Sequence, residues 1–333
     1  MDVFIDPRFD DLYRQHPLVL VDVGARGGLK SNWSRAQRHL RLLGFEPDER
    51  EFTRLVESRA QDSSNAFFNT ALHDRRGLLR LHVARDRGLS SIFEPNREFL
   101  DAFPEASRFD TVDVQQVEAD SLDDQLRARE ITDVDFVKVD TQGSELLVLQ
   151  GASNALASSV AGVEVEVEFS PIYKDQPLFA DVDTFLRGLG FALFDLRPCY
   201  WKRAAGRSLG GPRGQVIWAD ALYLKSLPAL RTALAPLAPE LRKSKVLRAI
   251  SISLLYGYSD YALEILRVAG DVFAADERGG IERQLRTSGG PGSSGPDFPG
   301  RRQLAAAFHR LWKLCLPRDD AWSVSDAEIG NVG

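Results

Sequence analysis

The sequence predicts an α/β protein: a mostly parallel sheet covered by helices, followed by a helical extension. Three observations carry that prediction. From Leu18 to about Lys225, short β-branched runs alternate with amphipathic helical stretches. The first run, Leu18–Val23, ends in a cluster of glycines before a helical stretch. The last two apolar runs, Gln215–Trp218 and Ala221–Leu224, suit an antiparallel final strand.

The elements follow in order. After the Leu18–Val23 strand, Trp33–Leu42 reads as a helix and Leu42–Phe45 as the next strand, ending at Glu46-Pro47. Arg50–Arg59 reads as a helix and Ala66–Asn69 as a third strand. Leu78–Val83 and Val112–Val117 look like the arms of a small β excursion. A helix from near Leu122 to Ile131 leads to the central strand Asp135–Asp140. Glu145–Gln150 opens another helix, Gly162–Phe169 is a strand, and the Asp181–Leu189 helix feeds Phe191–Leu196. Beyond Lys225 the composition shifts. Leu241–Val272 has apolar residues at three- and four-residue spacing, Ser288–Gly300 is a Gly/Ser/Pro-rich flexible linker, and Arg302–Leu316 is a last amphipathic helix. The expected division is therefore a cofactor-binding domain over 1–226 and a helical extension over 227–333.

Composition narrows the function classes. Hydrophobic residues make up 44% and charged residues 27%, as in an ordinary globular protein. A net charge of −6 gives no broad electrostatic grip on nucleic acid. Two cysteines cannot make a disulfide framework, the N-terminus has no apolar leader, and no run approaches the length of a membrane span. The expectation is a cytoplasmic protein.

The turn after the first strand carries the chemistry. In Asp22-Val-Gly-Ala-Arg-Gly-Gly28, glycines let the backbone approach a ligand closely. A dinucleotide site wants G-x-G-x-x-G, but from Gly24 the required positions hold Arg26 and Leu29, so that template fails. A methyltransferase wants an acid at the strand end and then spaced glycines, because the methionine ammonium of S-adenosylmethionine is cationic. Asp22, Gly24 and Gly28 meet it, with Arg26 in place of a middle glycine; a purely structural turn is the alternative. Glu46 ends the next strand, about 24 residues on, where a carboxylate can accept from both ribose hydroxyls.

Longer motifs add a family. Val21–Gly28, Gly44-Phe-Glu-Pro-Asp48, Ala71-Leu-His-Asp74, Leu89-Ser-Ser-Ile92, Val165–Phe169 and Ala219–Tyr223 accompany Phe136–Ala152, which is similar to the signature K-I-D-x-E-G-x-E-x-x-x-L-x-G-A. Over most of Leu18–Lys225 the sequence resembles the FkbM-type S-adenosylmethionine-dependent methyltransferases. The resemblance implies a class I methyltransferase (Rossmann-like) fold, with a seven-stranded sheet containing one antiparallel strand, and O-methylation of a small molecule. It brings Ala25, Pro47, Ala71 and Ser91 into the cofactor set with Asp22, Gly24, Gly28, Glu46 and Asp140. Gln142 departs from the pattern, standing where many relatives have glutamate.

Candidates for the chemistry sit at the same strand ends. Asp140 is a candidate base, metal ligand or cofactor contact; a carboxylate capping the turn Thr141–Gly143 is the plain alternative. Glu145 falls in a helix's first turn, where the dipole favours an acid anyway. Glu164, Glu166 and Glu168 share one face of their strand, and burying all three ionised is costly. Glu168, at the carboxyl end, is expected to reach the cleft, to orient a hydroxyl or join Asp140 at a divalent metal. With no histidine cluster or dense aspartate pair, a resident metal is not expected. His73 is a second candidate base, and Asp74 a candidate partner for the adenine amine. Tyr173 and Lys174, in the loop Ser170–Gln176, are acceptor-pocket candidates with Glu145, and Cys199–Arg203 reads as an acceptor lid or plain surface loop.

The leading expectation is methyl transfer to a hydroxyl of a sugar, glycolipid, polysaccharide or polyketide-type acceptor. The competing class is a binding or scaffold module that keeps the fold without turnover. Arg242, Lys243, Lys245 and Arg248 begin a basic amphipathic helix. It would pack on its own domain or on a second copy in a homodimer, charges solvated, or lie peripherally on an anionic membrane.

Overall fold

The computed structural model describes residues 3–26, 31–58, 65–209, 213–288, 298–315, 321–325 and 329. Gly28 and most of the Gly/Ser/Pro-rich segment, residues 289–297, lie outside them. The strands are β1 (Leu18–Val23), β2 (Leu40–Phe45), β3 (Ala66–Phe68), β4 (Ala71–Leu72), β5 (Gly77–Ala84), β6 (Thr111–Asp120), β7 (Phe136–Val139), β8 (Gly162–Glu168), β9 (Phe191–Trp201), β10 (Gln215–Lys225) and β11 (Ser323–Ser325). The helices are α1 (Asp10–Gln15), α2 (Glu49–Ser58), α3 (Arg97–Leu100), α4 (Leu122–Arg127), α5 (Glu145–Gln150), α6 (Ser153–Ser158), α7 (Phe179–Gly188), α8 (Leu227–Leu234), α9 (Pro239–Leu255), α10 (Ser259–Ala269), α11 (Ala275–Ser288) and α12 (Arg301–Cys315).

The main sheet runs β3-β2-β1-β7-β8-β10-β9-β11. Its first seven strands are the expected set, with β10 antiparallel to both neighbours. The eighth corrects the strand count: β11, from the far end of the chain, pairs antiparallel with β9. A three-stranded sheet, β4-β6-β5, forms the predicted excursion. The segment expected as a helix over Trp33–Leu42 is instead a 3-10 helix over Ser31–His39, and β2 starts at Leu40. There the buried Trp33 and Ala36 lie one 3-10 turn apart. The long helix expected over Leu241–Val272 is divided at Gly257, whose φ of +79° ends α9 in the left-handed region.

Alternation along the strands builds two cores. Val19, Val21 and Val23 of β1, with Val137, Val139, Val163, Val165 and Val167, face α4 to α7. Leu18, Leu20, Leu40, Leu42, Phe136, Leu222 and Leu224 face the other way, and that row is covered by the N-terminal segment and α8 to α11. α9 is buried from Ser244 to Leu255. Lys245 and Arg248 are therefore not solvated, contrary to expectation, while Arg242 and Lys243 stay partly exposed. Lys245 and Arg248 pair with Asp133 and Asp135 beneath the sheet, Arg242 reaches Asp271, and Lys243 reaches Glu277. Neither is Cys199–Arg203 a simple loop: Cys199 and Trp201 lie in β9 and are buried with Phe103, Phe109, Tyr173 and Ile217. Among the described residues no helix is long and apolar enough to cross a membrane.

Candidate active site

β1, β2 and β7 are parallel neighbours, so their carboxyl ends deliver Asp22, Glu46 and Asp140 to one end of the sheet. The chain then turns at Gly24, whose φ of +73° is left-handed. A Cβ there would lie 1.9 Å from the Asp140 carbonyl oxygen, so β1 and β7 approach this closely only with glycine. The Gly24 N–H donates to the Phe45 carbonyl at 3.0 Å, fixing the turn against β2.

Above this turn lies a cavity of about 250 Å³. Gly24, Glu46, Pro47, Ala71 and Asp140 line it, with Phe45, Leu81, Ile92 and Val117 as apolar walls. The mixture suits a ligand with a flat apolar part and a hydroxylated part. Glu46 accepts from the Asp48 N–H at 2.9 Å, and burial pushes its carboxyl up to about 7. Asp48 in turn pairs with Arg87 across the cavity, which ties the end of β2 to the loop after β5.

Behind Asp140 the chain makes a second tight turn. Gln142 has a φ of +58°, unusual for a residue with a side chain, and Gly143 one of +106°. Hydrogen bonds hold Gln142 there. Its amide nitrogen donates to Asp140 at 2.9 Å and to Glu166 at 2.8 Å, its carbonyl accepts from Ser91 Oγ at 2.6 Å, and Tyr173 Oη reaches its side-chain oxygen at 3.3 Å. Glu145 closes the turn by accepting from the N–H groups of Thr141, at 2.7 Å, and Gly143, at 2.9 Å. Burial pushes the Glu145 carboxyl up to about 7 and those of Glu166 and Glu168 well above the usual range.

A family model described as a methyltransferase FkbM domain matches residues 22–193, more than half of the chain. The chain belongs to the FkbM methyltransferase family. S-adenosylmethionine is its cofactor, and the FkbM domain contains every residue that lines the cavity. No curated protein matches significantly. Among solved structures, an FkbM methyltransferase from Methylobacillus flagellatus KT is 14% identical, over 62% of this chain and 43% of that one, with a TM-score of 0.37. The chain thus spans less than half of that protein's length. A 16S rRNA (adenine(1408)-N(1))-methyltransferase from Catenulisporales acidiphilia is 14% identical over 67% of this chain and 93% of its own, with a TM-score of 0.33. TrmK of M. capricolum, solved with S-adenosylhomocysteine, is 8% identical over 85% and 98%, with a TM-score of 0.30. Scores this low carry no weight for the acceptor.

Within the FkbM domain, the residues singled out in the sequence divide into three groups. Gly24, Glu46, Pro47, Ala71 and Asp140 meet at the cavity. Asp22, Ala25, Ser91, Glu145, Glu168 and Tyr173 are buried around it without lining it. Asp22, expected to meet the ammonium, holds Lys138 Nζ at 3.0 Å, so its carboxylate is already engaged. Ser91 ties the loop after β5 to Gln142, while its neighbour Ser90 faces the cavity. Tyr173 is buried, its Oη donating to the Leu89 carbonyl at 2.9 Å. The third group stands apart. His73 and Asp74 bond to each other in the turn after β4, and Lys174 pairs on the surface with Glu94 at 3.0 Å. Sequence reading missed Arg26, Arg87, Leu81 and Val117, which also line the cavity. The last two were legible as strand residues of the excursion; Arg87 carried no signal.

Proposed function

We propose that the protein transfers the methyl group of S-adenosylmethionine to a hydroxyl of a small molecule, a sugar-containing or polyketide-type acceptor. The observation that carries this reading is the cavity at the strand ends, with Glu46 and Asp140 both on its wall. The residues fit the cofactor. Glu46 offers a buried carboxylate to the ribose hydroxyls, and Phe45, Leu81, Ile92 and Val117 offer apolar surface to the adenine. When bound, the cofactor supplies an electrophilic methyl on a sulfonium. Asp140, held by the Gln142 amide, would receive the proton of the acceptor hydroxyl. The net charge of −6 favours a small acceptor over nucleic acid.

Methyl-labelled S-adenosylmethionine tests this, offered with a panel of glycosides, polyketide alcohols and bulk RNA. Label is expected on a hydroxyl, with Asp140→Asn lowering turnover at least a hundredfold while S-adenosylhomocysteine still binds. Label on RNA, or full turnover by Asp140→Asn, overturns the assignment.

A further inference from the structure

We propose that Glu145, Glu166 and Glu168 bind one hard divalent cation of the Mg²⁺, Mn²⁺ or Ca²⁺ class. The sheet brings two of them together. Alternation puts Glu166 and Glu168 on one face of β8, opposite Asp220 and Trp218 of β10. The start of α5 then lays Glu145 beside them. One oxygen from each of the three carboxylates lies within 4.8 Å of the others. Opposed ligands of an octahedral magnesium stand roughly 4.2 Å apart, and those of calcium roughly 5 Å. Small side-chain rotations thus suffice to close the set on a cation.

A second observation points the same way. Glu168 is 3% exposed, and its Oε1 has no hydrogen-bond partner. A buried carboxylate oxygen left without a donor is costly, and it faces two further carboxylates. Among the described residues no ion pair reaches Glu145, Glu166 or Glu168. The cations on this face are held elsewhere, Lys138 by Asp22 and Arg197 by Asp220. A cation between the three would supply the missing partner and offset their mutual repulsion.

The surroundings are those of a supported metal site. Thr141 and Gly143 N–H groups orient Glu145, and the Gln142 amide orients Glu166. Ligating carboxylates are typically hydrogen-bonded in this manner by an outer shell. The donors are all oxygen, with no imidazole or thiolate, which selects a hard cation over zinc. Gln142 also lines the cofactor cavity, so the cation would sit one side chain away from it. The sequence pointed away from a resident metal because it offered no histidine cluster; the third ligand comes from a different element, and only folding delivers it. This proposal is independent of which acceptor is methylated.

The test uses the full chain, stripped with EDTA and titrated with Mn²⁺ under electron paramagnetic resonance, with Mg²⁺ and Ca²⁺ as competitors. About one Mn²⁺ per chain is expected in the micromolar to submillimolar range, with a rise of several degrees in Tm. Glu168→Gln and Glu166→Gln should each weaken Mn²⁺ binding at least tenfold while keeping a cooperative thermal transition. Should either variant fail to fold, Glu145→Gln and the wild-type stoichiometry serve in its place. Absence of saturable Mn²⁺ binding by the wild type, or binding unchanged in the folded variants, overturns the proposal.

Discussion

Glu46 shows how one buried carboxylate couples folding and binding to pH. Burial raises its pKa from 4.5 to about 7, with Asp48 and Glu51 adding repulsion, while the Asp48 N–H and Arg26 pull the other way. The folded pKa lies above the unfolded one. Its contribution to stability is therefore complete below about pH 4.5 and is lost as the pH rises through 7, by at most about 3 kcal/mol. In the proposed function ligand binding runs in the opposite direction, because only the ionised carboxylate would accept from both ribose hydroxyls. S-adenosylhomocysteine should bind about tenfold more weakly at pH 6 than at pH 8. Calorimetry across that range checks this; Glu46→Gln should bind weakly and flatten the profile, and a flat wild-type profile would refute the role. Glu46 was legible because its position after β2 is a matter of local sequence. Tyr173 was not: its burial depends on Phe109 and on the Leu89 carbonyl, which lie far away in the chain. Nor was the left-handed turn at Gln142, which rests on Ser91, Glu166 and Tyr173 rather than on its own residue type.

At the scale of elements, alternation and glycines revealed β1, β7 and β8 and the β5–β6 excursion, because each strand writes its own burial into its pattern. The partners of α9 were hidden, since basic residues at helical spacing read the same whether they meet water or acids. In the folded chain Arg248 is 1% exposed, donating to Asp133 at 2.6 Å and Asp135 at 2.8 Å, with Lys245 on the same two acids. Asp135 also accepts from the Val19 N–H at 2.8 Å, so the network ties α9 to the starts of β1 and β7. Removing one charge leaves the buried Asp135, 1% exposed, short of a partner. Arg248→Met should lower stability by about 3–5 kcal/mol, read by urea unfolding, whereas a loss below 1 kcal/mol would show that the acids find water or another cation.

At the scale of the whole molecule, composition changes near residue 226 but the packing does not divide there. In many doubly wound proteins the helices between neighbouring strands cover both faces. Here, among the described residues, the connection from β1 to β2 carries a 3-10 helix, and α8 to α11 cover that face of the sheet. Leu18, Leu20, Leu40, Leu42, Phe136, Leu222 and Leu224 would face water without them. So would Asp133 and Asp135, with Lys245 and Arg248 gone. Phe136 stacks on Tyr256 and Trp33 meets both rings edge-on; Tyr256 Oη donates to Glu164 at 2.8 Å, so the residue after α9 also keeps a glutamate of β8 bonded. The cavity at the strand ends touches none of these helices, yet β1, β7 and β8 stand on them. A chain ending at residue 226 should therefore lack a cooperative thermal transition and bind no S-adenosylhomocysteine, although it retains every residue that lines the cavity. If that fragment instead unfolds cooperatively and binds the ligand, the sheet face is closed by something other than α8–α11, and the extension is an appendage rather than a layer of the fold.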